Sequence, residues 1–143
     1  MSDGARRILL AILVLGVCGI TAELLLLAHT EDLNQWIPIA LAAMTLVLSG
    51  MVALRPTPAS LRLFQLVMVL MILSGALGMY LHLSANMEFQ LEMDSTLKGF
   101  ALLKKSIVAK SPPALAPGAM AQLGLIGLAY TFKHPALGAR RET

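Results

Sequence analysis

Residues 8–28 read ILLAILVLGVCGITAELLLLA, an apolar run broken by one charged side chain, Glu23, and preceded by Arg6-Arg7. About 20 apolar residues in a helix rise far enough to cross a hydrocarbon core of roughly 30 Å. A cleaved signal peptide would have a shorter apolar region ending at small residues, whereas Leu24 to Ala28 carry this run on past Glu23. Leu15-Gly16-Val17-Cys18 departs from a lipoprotein box because Val17 is large. The run reads as an uncleaved membrane span.

Three further apolar blocks repeat the theme. Residues 37–54 begin beside Trp36, with Pro38 expected in the first helical turn, and stop at Arg55-Pro56-Thr57-Pro58. Residues 63–83 follow Arg62, and residues 117–132 open at Pro117-Gly118 and end before Lys133-His134-Pro135. The chain is 57% hydrophobic and only 13% charged, well below the charge content of a typical soluble domain. An all-α membrane protein is expected: a four-helix transmembrane bundle that uses residues 1–143 as one domain.

Seven basic residues, Arg6, Arg7, Arg55, Arg62, Lys133, Arg140 and Arg141, fall on one side of these spans, and four, Lys98, Lys104, Lys105 and Lys110, on the other. The positive-inside rule makes the first side cytoplasmic, with both termini there. Trp36 and Tyr80 then belong at the outer interface and Tyr130 near the inner one. Basic residues beside span ends, without interleaved aromatics, argue against nucleic acid as a partner. The single Cys18 can form neither an intrachain disulfide nor a multi-cysteine metal site.

The outer loop, residues 84–116, is long enough to need structure of its own. Met87, Phe89, Leu91 and Met93 alternate with Glu88, Gln90, Glu92 and Asp94, the period of a strand. A helix would instead align Glu88, Glu92 and Ser95, so residues 86–94 stay open between the two. Residues 95–110 follow the helical period through Leu97, Phe100, Ala101, Lys104, Ile107 and Val108. They predict an amphipathic helix along the outer membrane surface, stopped by Ser111-Pro112-Pro113.

One spacing occurs twice: Gly16, Gly19 and Glu23 on the first span, and Gly75, Gly78 and His82 on the third. Each set forms a small-residue groove leading outward to an ionisable group. Two readings stand. Either the grooves meet and face Glu23 towards His82, or the glycines only pack helices and Glu23 points to the lipid–water interface. Gly118, Ala121, Gly124 and Gly127 give the last span a close-packing face for a neighbouring helix or another subunit.

His29, Glu31 and Asp32 outside the first span, with Asn86, Glu88, Glu92 and Asp94 outside the third, form the rest of a candidate polar site. Histidine with carboxylates suits a divalent metal, and His29 with His82 could ligate haem, but no known ligand spacing ties these residues together. His134, on the opposite side, reads as an interfacial cap. Neither a nucleotide loop nor a hydrolytic triad is present, so no catalytic residue is named.

Gln35-Trp36-Ile37-Pro38, Asn86-Met87-Glu88-Phe89, Pro113-Ala114-Leu115-Ala116-Pro117-Gly118 and residues 130–135 resemble small uncharacterised four-span bacterial membrane proteins. That resemblance implies a bacterial inner (cytoplasmic) membrane and no particular activity. The leading expectation is an accessory or assembly subunit with a protein partner or a homo-oligomer. The alternatives are a small ion- or proton-coupled transporter using Glu23 and His82, and a metal- or haem-binding redox protein at the outer face.

Overall fold

A computed structural model describes residues 1–28, 33–109 and 115–138. Every regular element among them is a helix: α1 (Asp3–Leu26), α2 (Leu33–Leu54), α3 (Pro58–Met93), α4 (Gly99–Ile107), α5 (Leu115–Thr131) and α6 (Pro135–Gly138). Three of them, α1, α2 and α3, are long and apolar enough to cross a membrane, whereas α5 is a shorter apolar helix. Its 17 residues rise about 26 Å.

Helix ends follow local chemistry. Ser2 caps α1 by accepting from the Ala5 N–H at 3.3 Å. Thr57 and Ser60 form a reciprocal capping box at 3.1 and 3.0 Å, and Pro58 opens α3, where its missing N–H costs nothing. Asp94 ends α3 and turns the chain by accepting from the Thr96 N–H at 3.0 Å and hydroxyl at 2.6 Å. These bonds, and then the nearby Lys105, hold the exposed Asp94 carboxyl below its ordinary range.

Pro38 is not in a first turn. Helix α2 begins at Leu33, so the proline lies inside it and cannot donate to the Asn34 carbonyl four residues back. Residues 86–93 are helical, as a direct continuation of α3. Their alternating pattern meets no second strand among the described residues, and an isolated strand would leave its backbone groups unpaired. The amphipathic segment is also shorter than residues 95–110. The Asp94–Thr96 turn occupies its start, and α4 covers Gly99–Ile107.

Helix α5 is the wedge of the fold. It packs chiefly against α3 and also against α1, while α2 packs on α1 and α3, and α4 lies back on α3. The core runs through Leu13 and Val17 of α1, Leu48 and Val52 of α2, Phe64, Met68 and Met71 of α3, and Leu123 of α5. In the most apolar windows of α1, α2 and α3 only 22%, 33% and 22% of residues are buried, so most apolar side chains face outward. Leu15, Val47, Leu54, Leu73 and Leu77 are among these. So much exposed apolar surface is suited to a hydrocarbon solvent and points to a membrane protein.

Candidate functional site

The paired glycine grooves do not meet each other, because both receive α5. A Cβ at Gly16 would run into the Leu123 side chain. One at Gly75 would stand 2.5 Å from the Pro117 carbonyl oxygen and 2.9 Å from Ala121, and one at Gly78 would stand 3.1 Å from the Pro117 ring. Helix α5 answers with its own small residues: Gly124 lies where a Cβ would be 2.7 Å from the Met68 carbonyl, and Gly127 lies against Met68 and Phe64. The α3–α5 seam is therefore an approach of backbone on backbone, which bare glycine positions permit. Gly19 is different, with open space around it.

Glu23 and His82 lie outward of these packed glycines. Both are exposed. The buried stripe of α1 runs Arg6, Leu13, Val17, Ile20 and Leu24, and at 100° per residue Glu23 lies roughly a quarter-turn away from it. His82 instead continues the α5-facing stripe of Phe64, Met71 and Gly75 outward along α3. Asn86 joins α3 to α4 by donating from Nδ2 to the Ser106 carbonyl at 3.1 Å, and Glu88 and Glu92 are exposed on the same stretch of α3. His29, Glu31 and Asp32 lie outside the described residues. Among the described ones no three His, Cys, Asp or Glu side chains come together.

A second polar constellation lies at the opposite end, where the start of α1, the end of α2 and the end of α5 converge. Arg6 is only 6% exposed. Its Nη1 donates to the Met1 carbonyl at 2.9 Å and to Asp3 Oδ1 at 3.3 Å, and its Nη2 donates to the Lys133 carbonyl at 2.9 Å. Lys133 has the left-handed backbone (φ 49°), strained for a residue with a side chain, and that turn delivers its carbonyl to Arg6. The Arg6 Nε has no hydrogen-bond partner among the described residues.

Tyr130 stands beside this group. Its hydroxyl donates to the Val52 carbonyl at 3.3 Å, tying the end of α5 to the end of α2, and its ring meets Phe64 edge-on at 5.7 Å. Gln65 adds a bond from Nε2 to Thr131 Oγ1 at 3.0 Å. His134 lies 5.7 Å from the Tyr130 ring, and its Nδ1 accepts from the Ala136 N–H at 3.2 Å, capping the short α6. Burial, and then the Arg6 charge, lowers the His134 pKa, with Asp3 pulling weakly the other way. Both larger influences favour the neutral imidazole.

Arg6, Arg7, Val52, Tyr130, His134 and Pro135 are among the residues lining a cleft of about 660 Å³ at this end. Sequence reasoning counted Arg6 and Arg7 together as orientation charges. The signal that separates them is the 7-4-3-4 spacing of residues 6, 13, 17, 20 and 24, which places Arg6 on the buried stripe and leaves Arg7 outside it. No protein-family model matches the chain, and neither a curated protein nor a solved structure does.

Proposed function

We propose that the chain is a multi-pass protein of a bacterial inner membrane, with both termini in the cytoplasm, and that it serves a larger membrane complex as an accessory or assembly subunit. The supporting observation is the length of α3. Its 36 residues rise about 54 Å, against roughly 30 Å of hydrocarbon. The surplus turns at its C-terminal end carry α4, which packs on α3, buries Leu102 and Ser106 and leaves Phe100, Ile107 and Val108 exposed, as Phe89 and Met93 of α3 are. On the outer side of a membrane, this helical hairpin offers an apolar surface to a partner subunit. The seven-to-four distribution of basic residues supports the orientation.

The proton-coupled alternative would have to couple Glu23 and His82 with α5 packed on Gly16, Gly75 and Gly78. The accessory-subunit reading is tested by purifying the protein from native membranes in mild detergent and weighing the intact particle. Larger partners released by Phe100→Glu or Val108→Glu are expected. A wild-type particle containing this chain alone would refute the reading.

A further inference from the structure

The cleft around Arg6 is continuous with a second depression. Arg7, Leu10 and Ala53 line both, and from there a groove of about 440 Å³ follows the α1–α2 seam past Val14, Leu46 and Gly50. The two parts differ in chemistry. The terminal cleft is lined by Arg6 and Arg7 together with Asp3, Tyr130 and His134. Apart from Arg7 at its mouth and Ser49, the groove is walled by aliphatic side chains and glycine.

We propose that this continuous surface binds one anionic phospholipid, with the phosphate in the Arg6–Arg7 cleft and an acyl chain along the α1–α2 groove. The inference rests on the membrane placement proposed above. Charge complementarity carries it. Two arginines line the cleft, the exposed Arg7 and the buried Arg6, against one carboxylate, that of Asp3, which lies 3.3 Å from Arg6 and is itself 88% exposed. Arg6 is already anchored by two backbone carbonyls and keeps Nε unpartnered, so its charge is positioned without being neutralised by them. Basic pockets between helix ends on the cytoplasmic side are suited to anionic headgroups.

Shape supports the same occupant. The seam is open at Gly50, where an added Cβ would meet nothing within 4 Å. A protein side chain in the groove would need a partner helix alongside, whereas an acyl chain is already present in the surrounding bilayer. Placing the positive cleft at the end of an apolar groove reproduces the order of groups along a phospholipid.

The test is native mass spectrometry of the detergent-purified full chain, titrated with phosphatidylglycerol or with phosphatidylcholine of the same acyl composition. The expected result is preferential retention of phosphatidylglycerol. Arg7→Gln, a change at an exposed position, weakens that lipid about fivefold. Gly50→Leu, which fills the groove, weakens both lipids, and millimolar inorganic phosphate does not displace the bound lipid. Equal retention of the two lipids, no effect of either variant, or full displacement by phosphate alone overturns the proposal. Both variants are checked for unchanged melting. Carbonate extraction separates the two readings: a chain released from membranes refutes the membrane placement, whereas one that stays with them and shows no lipid preference refutes the lipid site alone.

Discussion

The α3–α5 and α1–α2 seams both contain glycine, and they use it in opposite ways. At Gly75 and Gly124 the missing side chain is replaced by a neighbour's backbone, so two helices close on each other without a gap. At Gly50 the missing side chain is replaced by nothing, and a groove remains. A small-residue stripe is therefore an invitation whose answer depends on the opposing helix. Helix α5 accepts it along α3, where its own Gly124 and Gly127 allow mutual approach. At the α1–α2 seam, the large Leu10, Val14 and Leu46 side chains flank an open channel.

The comparison is broken most sharply at Gly75. Gly75→Ala forces a methyl against the Pro117 carbonyl at 2.5 Å, and backbone cannot rotate aside as a side chain can. We expect a loss of about 3 kcal/mol, at the upper end for overpacking. Gly50→Ala, with open space around it, should stay within about 0.5 kcal/mol. Thermal unfolding in one detergent measures both, and equal losses would show that the seams do not differ as described.

The basic pair at the start of α1 sharpens the contrast between a sealed and an open surface. Arg6→Ala removes a buried side chain and deprives the Lys133 carbonyl of its donor, and should cost about 2 kcal/mol. Arg7→Ala, at an exposed position, should change the same unfolding transition by less than about 0.5 kcal/mol. Similar effects at the two positions would contradict the burial of one and the exposure of the other.

The smallest expected effect concerns pH. The folded chain holds His134 below the ordinary histidine value, so folding favours the neutral ring. Its contribution is fully present above about pH 6.5, the unfolded value, and is lost as pH falls through the lower folded value. The ring is only partly buried, and solvent screening keeps the effect small. His134→Gln should flatten the slope of unfolding midpoint against pH in the weakly acidic range, and an unchanged slope would assign it to other groups.

The apolar runs at residues 8–28, 37–54 and 63–83 were legible as long helices because a continuous hydrophobic run of that length has few other stable forms. The extension of α3 to Met93 was not, since Met87 to Asp94 satisfies the strand period and the helical one alike. Local pattern cannot choose between them, and α4 seated on that stretch through Asn86 and Ser106 supports the helix. The glycines were legible as packing positions but not their partners. The repeated Gly-Gly-ionisable spacing leaves open what each face meets, because the position of a third helix is a property of the whole assembly.

The cleft was the least legible feature. Its residues come from positions 6, 52, 130 and 134, far apart in the chain, and Arg6 resembles any other charge flanking a span until its side chain is seen between two carbonyls. Hydrophobicity and length were sufficient to call for long apolar helices, because those are sums over neighbouring residues. Which faces met, which glycine was covered and which arginine was buried depended on helices distant in sequence, and sequence spacing carries no distance between them.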